Sequence, residues 1–400
     1  MNAPENSRLG NKGPGNGPLP IDQFFTPEYH ALEKERVFKK CWLRIGREDD
    51  VPNVGDYYVR ELEACDTSLI VVRGRDQKIR AFHNMCAHRS NRVAYEAKGN
   101  TATFKCSFHS WAYGLDGSLR ALPEEHLFPG IDKSANGLTE VACDLWEGFI
   151  FVNVDPQPAQ TLREYLGEEI YNGFEGYFSQ FVPVARYIVE VPVNWKIFMD
   201  AFVETYHFST VHLPTAGDIV LSQEFPNGRI DALRLYGKHR IASATSNVGY
   251  TPTPAQILAQ KFGENATLAP DLSKKPINPP QVNPRNLPDW LTDILIIFPM
   301  ANIQPLYGFY AAQDYWPLGH DRTRWEETIY MTPPKTAAQD VAAQYNRSHI
   351  RDLIREDLKN LKMIQSNLRS GAKKYQILGD MEPMVRHAYK SLAEQVGIGW

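Results

Sequence analysis

Metal-ligand residues at two places in this chain, neither sufficient by itself, constrain its fold more than any other feature. The first set reads Cys86-Ala87-His88-Arg89 and, after a spacer, Cys106-Ser107-Phe108-His109-Ser110-Trp111. The second reads Asn194-Trp195-Lys196, then Glu204-Thr205-Tyr206-His207, then His212. Each loop of the first set offers one cysteine and one histidine, so the fold must bring two loops face to face. His207 and His212 do not share one face of a straight helix, so the segment must end or distort between them. β-Branched Thr210 and Val211, with Pro214 close behind, allow that. Two imidazoles also need a carboxylate from another segment to complete a site.

One cysteine and one histidine from each of two loops give one iron two thiolates and its neighbour two imidazoles. That is the ligand set of a Rieske [2Fe–2S] centre. A structural zinc ion accepts the same donors, although zinc fingers usually pair Cys with Cys and His with His. Two histidines and a carboxylate form the facial triad of a non-haem Fe(II) that keeps positions open for oxygen. His30, His83, His126, His239, His320, His349 and His387 have no comparable neighbours and read as structural.

On these motifs the chain resembles, along nearly its whole length, the catalytic (alpha) subunit of the Rieske non-haem iron oxygenases, the ring-hydroxylating family. The family's cluster motif, Cys-x-His-Arg followed by Cys-x-x-His-x-Trp, is met by Cys86, His88, Arg89, Cys106, His109 and Trp111. The chain departs from the commonest pattern at Ser90, Ser107, Phe108 and Ser110, where the first and last are often Gly and the third Tyr. None of these is a ligand, so a shifted potential is expected and not a lost cluster. Phe108, Trp111 and Tyr113 are expected to cover the cluster from water.

The family's iron motif is met by Asn194, Trp195, Lys196, Glu204, His207 and His212. The resemblance implies a third ligand from a C-terminal helix, which Glu356-Asp357 to Gln365 matches except for Lys362 in place of an acid. Asp357 is the implied ligand, with Asp352 and Glu356 as competitors. Glu204 is either a solvated or capping carboxylate or, as the family implies, a bridge from His207 to His109 of an adjacent chain. Asn194 and Asp200 are expected to complete the surroundings of the iron. Ala201, where many relatives have Asn, removes one polar contact.

The implied fold class is α+β: an N-terminal all-β Rieske [2Fe–2S] domain and a C-terminal helix-grip (START-like) catalytic domain with an antiparallel sheet. Its expected extents are 1–41 for an N-terminal arm, 42–155 for the Rieske domain and 156–400 for the catalytic domain. The arm is expected to be disordered over 1–20 and to carry a helix from Pro27 to Lys40. Further expected elements are a strand over Ala185–Val193, a helix from Trp195 to Thr210 and a long helix from Ala337 to Gly371. Residues 252–290, rich in Pro, Asn and Lys, read as a long loop near the active-site mouth. The apolar run Ile294–Phe298 reads as a buried strand.

The cofactors implied are one [2Fe–2S] Rieske cluster and one mononuclear Fe(II) per chain. The partners implied are a separate NAD(P)H-dependent reductase, with or without a ferredoxin, together with O2 and a small organic substrate. A head-to-tail homotrimer is expected, with a small β subunit as an option. No G-x-G-x-x-G occurs, which places the nucleotide chemistry on another polypeptide. The net charge of −4 gives no case for nucleic acid or an anionic membrane. Cys41, Cys65 and Cys143 remain outside the cluster motif, an odd number that fits a reducing cytoplasm better than a disulfide scaffold. Phe202, Tyr206, Phe208 and Leu213 flank the ligands and favour an apolar substrate, aromatic or polycyclic. The Glu-x-Tyr-His form also occurs in relatives that oxidise quaternary ammonium compounds, so N-demethylation or C–H hydroxylation of such a compound is the alternative. An electron carrier without oxygenase activity is the reading from another class.

Overall fold

The computed structural model describes residues 17–263, 279–306 and 308–398. Most of the segment expected to be disordered, and the middle of the 252–290 loop, lie outside them. The chain divides into two compact units: Lys34–Tyr165, and Met1–Glu33 together with Leu166–Trp400. The N-terminal residues up to Glu33 therefore group with the C-terminal part.

The Lys34–Tyr165 unit is built from short antiparallel strands. They are β1 (Leu43–Arg47), β2 (Asp56–Leu62), β3 (Thr67–Arg73), β4 (Ile79–His83), β5 (Lys98–Asn100), β6 (Phe104–Lys105), β7 (Ala112–Tyr113), β8 (Leu119–Ala121), β9 (Glu140–Trp146) and β10 (Phe149–Asn153). Seven of them form one sheet in the order β1-β10-β9-β4-β3-β2-β5, and β6-β7-β8 form a second. Leu69–Val72 and Phe149–Asn153 are buried without alternation, as strands covered on both faces should be. The loop after β4 and the loop joining β6 to β7 carry the Cys-x-His and Cys-x-x-His motifs.

In the other unit a seven-stranded antiparallel sheet has the order β11-β17-β16-β15-β14-β13-β12. The strands are β11 (Val182–Val191), β12 (Ile230–Tyr236), β13 (His239–Thr245), β14 (Trp290–Ile297), β15 (Ala301–Leu306), β16 (Phe309–Gly319) and β17 (Arg322–Met331). Its helices include α1 (Pro27–Glu33), α2 (Trp195–Asp200), α3 (Pro254–Phe262), α4 (Ala337–Leu368) and α5 (Pro383–Val396). The 32-residue α4 starts at Thr336, whose side chain accepts the Gln339 N–H. Its buried positions, among them Ala343, Asn346, Ile354, Asp357, Leu361 and Gln365, recur at helical spacing. Ala343 and Ile350 pack on Phe309, Ile329 and Met331 of the sheet, which is the α+β, helix-grip arrangement expected. Among the described residues, no helix is long and apolar enough to cross a membrane.

Two expectations change. The helix begun at Trp195 ends at Asp200, not Thr210. No Gly or Pro forces this. The Glu204 carboxylate accepts the N–H groups of Tyr206 and His207, which takes them from the helical ladder. Within 252–290, Pro254–Phe262 is helical and packs against α4. Thr253 and Gln256 form a reciprocal capping box with Pro254 in the first turn, a start signal legible in the sequence.

α2 is buried along its length and held from both sides. Asn194 caps it by accepting the Lys196 N–H at 3.0 Å, and its own N–H donates to Gln365 Oε1 of α4 at 2.7 Å. Gln365 Nε2 donates in turn to the Phe24 carbonyl at 3.2 Å. Lys196 and Glu33 form a fully buried ion pair, Nζ to Oε1 2.7 Å, while the Trp195 indole donates to Glu33 Oε2 at 3.3 Å. Burial alone would raise the Glu33 carboxyl, but the Lys196 ammonium with the hydrogen bonds of His30 and Trp195 together hold it below the usual range. Lys196→Met should strand that carboxylate and cost about 3–5 kcal/mol, read as a lower denaturation midpoint. Adding Glu33→Gln should recover much of the loss; a single variant as stable as the parent would show that the pair contributes nothing.

Candidate metal centres

The two cysteine–histidine loops close on one another. Cys86 and Cys106 are buried, while His88 and His109 lie at the edge with ring centroids 4.6 Å apart. His88 stacks on the Trp111 indole at 4.9 Å, and its buried Nδ1 has no hydrogen-bond partner. A nitrogen left in that state is what an imidazole ligand offers a metal. Both sulfurs are served by donors: the Tyr113 hydroxyl accepts the Ala87 N–H at 3.0 Å, which leaves its own proton for Cys86 Sγ at 3.1 Å. Asn91 Nδ2 reaches Cys106 Sγ at 3.6 Å. Burial works to raise the Cys106 thiol, but the N–H groups of Phe108, Asn91 and His109 bring it below its usual value. These donors stabilise thiolates and suit a bound iron–sulfur group. Asn91 was not singled out from the sequence.

The departures from the family pattern fall at informative places. Ser90 and Ser110 have φ of +58° and +59°, in the left-handed region that favours glycine, and each closes its loop by donating to the carbonyl of Cys86 or Cys106 at 3.0 Å. Their effect is therefore on backbone strain. Trp111 and Tyr113 are buried, whereas Phe108 is 57% exposed and packs on His109.

Among the described residues, one group of three His, Cys, Asp or Glu side chains brings its donor atoms within 4.8 Å of one another: His207, His212 and Asp357. The Asp357 Oδ1 lies 3.3 Å from His212 Nε2 and 3.7 Å from His207 Nε2, and the latter nitrogen is buried without a hydrogen bond. Both rings are oriented from behind. Glu204 Oε1 holds His207 Nδ1, and Glu356 Oε2 holds His212 Nδ1 at 2.9 Å while accepting the Thr215 hydroxyl at 2.7 Å. A neutral imidazole that donates from Nδ1 presents its Nε2 lone pair to the shared point, as a metal ligand must. The donor set fits a divalent iron. Between the two histidines the chain runs in turns, the break the spacing requires, and after His212 it enters a π-helical segment, Leu213–Gly217.

The other candidates separate. Glu356 supports a histidine from behind, and Asp352 is paired with Arg351 at 2.8 Å on the exposed face of α4. Lys362 is exposed, so its replacement of an acid leaves the triad untouched. Asn194 has no hydrogen bond to the triad; its side chain caps α2 and donates to the His320 carbonyl at 2.7 Å. Asp200 lies on the triad's side and lines a cavity of about 370 Å³ with Glu204, His207 and Asp357. Burial pushes its carboxyl up to about 7 against the Tyr389 hydroxyl, Arg240 and Lys196, and Tyr389 donates to it.

A second cavity, of about 160 Å³, lies between the sheet and α4, with Phe202, Phe208, Ile219, Val220, Leu291 and Leu353 in its wall. Phe208 separates it from the triad, with its ring 4.7 Å from His212 and 5.1 Å from His207. Of the four apolar residues that flank the ligands in sequence, Phe202 and Phe208 line this cavity. Tyr206 and Leu213 are more than half exposed.

The model of the ring hydroxylating alpha subunit (catalytic domain) family matches residues 178–398, and that of the Rieske [2Fe–2S] domain matches residues 41–131. The chain belongs to the ring-hydroxylating alpha-subunit family, whose two domains house a Rieske cluster and a mononuclear iron. It is 32% identical over 188 residues to the 2-aminobenzenesulfonate 2,3-dioxygenase subunit alpha of Alcaligenes sp, covering 46% of this chain and 47% of that one. To the carnitine monooxygenase oxygenase subunit of Escherichia coli (strain K12) it is 30% identical over 182 residues, 45% of this chain and 48% of that one. These matches span about half the length of the relatives. The fold is similar to that of the quaternary ammonium Rieske monooxygenase CntA, solved with an inhibitor: TM-score 0.74, 19% identity, 99% of each chain covered.

Asp357→Ala should leave two neutral imidazoles, too weak a site to retain labile Fe(II), while the visible spectrum of the cluster persists. Glu356→Gln should weaken iron binding by about 10–100-fold through His212, and Asp352→Ala should change nothing. Iron retained in full by Asp357→Ala would move the ligand role elsewhere.

Proposed function

We propose that the chain is the oxygenase component of a system that hydroxylates a small apolar substrate, using O2 and electrons from a separate NAD(P)H-dependent reductase, directly or through a ferredoxin. The observation that carries this reading is the triad. His207, His212 and Asp357 converge on one point, both Nδ1 atoms are tied to carboxylates, and an apolar cavity lies behind Phe208. Bound there, iron supplies oxygen activation, and the Rieske cluster supplies electrons one at a time.

The protein's own groups do the positioning. Cys86, His88, Cys106 and His109 would hold the cluster; His207, His212 and Asp357 would hold the iron. The carboxylates of Glu204 and Glu356 fix ring orientation, and the cavity wall keeps water from the substrate. A cavity of about 160 Å³ is close to the engineered cavity that binds benzene, which favours one aromatic ring over a polycycle. The alternative, oxidation of a quaternary ammonium compound, draws on the carnitine relative and on one acidic residue in the cavity, Glu327.

In a homotrimer Glu204 would serve a second chain. Oε2 accepts two backbone N–H groups, while Oε1 accepts from His207 Nδ1 alone and so has a second lone pair to offer His109 of an adjacent copy. Asp200 and Asn194 act as positioning groups, the first in the cavity beside Glu204 and the second through the α2 cap.

Purified protein should contain about three irons per chain, against two for an electron carrier with the same cluster. With a surrogate reductase it should consume oxygen in step with product from a single-ring substrate. Two irons and no coupled uptake would sink the oxygenase reading. Glu204→Gln should fill both metal sites yet lose turnover severely, because an amide has only one accepting oxygen for two rings. Its pre-reduced cluster should stay reduced when substrate and oxygen are added; rapid reoxidation coupled to product would return Glu204 to an ordinary capping carboxylate.

A further inference from the structure

Three polar side chains stand in register across the inner face of the sheet. Asn302 on β15 pairs with Gln313 on β16, and Gln313 pairs with Glu327 on β17. Asn302 Nδ2 donates to Gln313 Oε1 at 3.0 Å, and Gln313 Nε2 donates to Glu327 Oε1 at 2.9 Å. The row ends there. Glu327 is 1% exposed, it lines the apolar cavity together with Gln313, and its Oε2 has no hydrogen-bond partner. No Lys or Arg lines that cavity among the described residues. The other titratable group in the wall is His349, which burial holds below its ordinary value and therefore keeps neutral.

A carboxylate oxygen without a donor in an apolar wall is destabilising, and more so when charged. Burial accordingly pushes the Glu327 carboxyl up to about 7. A leucine at this register position would remove the orphaned oxygen, and a glutamine would remove the charge. What a carboxylate adds is an acceptor that pairs strongly with a cationic N–H entering the cavity.

We propose that Glu327 Oε2 accepts an N–H from the substrate, so that the preferred substrate is a protonated amine carried on an apolar body of about one ring. This rests on the reading above that the cavity between the sheet and α4 takes the substrate. The amine sits against the sheet wall at Glu327. The apolar body fills the space toward Phe208 and Ile354, the latter one turn of α4 before Asp357. Gln313 orients the carboxylate by occupying Oε1, so a single oxygen is presented. A quaternary ammonium group carries no N–H and cannot make this bond.

The test is equilibrium binding to iron-loaded protein by calorimetry, with benzylamine, benzyl alcohol, toluene and benzyltrimethylammonium as a matched series. Benzylamine should bind at least about ten-fold more tightly than toluene, with benzyl alcohol between them. In Glu327→Gln the new amide keeps the Gln313 bond through its carbonyl and turns an NH2 donor into the cavity. The amine preference should then vanish while toluene affinity and iron content stay at parent values, which also shows that the variant is folded. Equal affinity for benzylamine and toluene in the parent, a preference that survives Glu327→Gln, or benzyltrimethylammonium binding as tightly as benzylamine would each overturn the assignment. The ligand series on the parent decides it even if the variant fails to fold. Oxygen uptake is scored separately: amine-selective binding without coupled uptake would remove the oxygenase reading and leave this site standing. Uptake without amine selectivity would do the reverse.

Discussion

A carboxylate in the middle of a buried helix stripe governs the arrangement of the iron-binding unit. Asp357 occupies a position of α4 that packing alone would give to leucine, between Ile354 and Leu361, and it is 4% exposed. Its desolvation is tolerable only with close positive or metal partners. The nearest groups are His207 and His212, whose Nε2 lone pairs face the same point, so a metal there would supply the compensation. Everything that fixes those two rings therefore bears on whether α4 can lie against the sheet at all. That includes Glu204 and Glu356 behind the rings, the Thr215 hydroxyl on Glu356, and the π-helical segment after His212.

The same logic explains why the segment between Asp200 and His212 is irregular. A continuous helix would satisfy its backbone but would point the two histidines to different faces. The chain instead spends the Glu204 side chain on two backbone N–H groups and one imidazole at once. The short helix α2 is then too small to hold itself in place. Its anchorage comes from outside: the buried Lys196–Glu33 pair, the Asn194 cap and the Gln365 contact. The motif residues Asn194, Trp195 and Lys196 serve the site through this anchorage, without touching the triad.

Much of this was legible because the chemistry needs rare residues at fixed spacing. The all-β organisation around the cysteine loops, the antiparallel sheet and a long helix from Ala337, expected to Gly371 and ending at Leu368, followed from periodicity or motif, and Asp357 as the partner of His207 and His212 was implied by the family resemblance. What was not legible depends on side chains acting on the backbone or across strands. The helix after Trp195 looked continuous because no Gly or Pro interrupts it, and nothing local shows that Glu204 will capture its N–H groups. Glu356 looked like a rival ligand to Asp357. Neighbours on a helix differ in direction by about a quarter turn or more, so only one of them reaches the shared point while the other reaches behind His212. Asn91 lies between the two loops in sequence and gives no sign of its aim at Cys106 until the loops are folded together. The start of α3 is a different case, since Thr253, Pro254 and Gln256 announce it and the surrounding Pro and Asn obscured it.

The two cavities beside the triad divide its surroundings by polarity, and that division bears on how one iron site can serve both an electron donor and a substrate. The cavity with Asp200, Glu204 and Glu382 is acidic, and the carboxyl of Glu382 is raised first by burial and then by the charge of Glu204. Substrate placed there would compete with the carboxylates that orient His207. The opposite cavity has Phe208 between it and both histidines, so its contents meet the iron position through an apolar edge that leaves the hydrogen bonds of the ligands intact. On the function proposed above, electrons would enter on the carboxylate side and substrate would bind on the apolar side. A dry pocket strengthens any polar contact made within it. The single buried carboxylate in its wall, Glu327, thus has more leverage over what binds than a similar group on the surface would have.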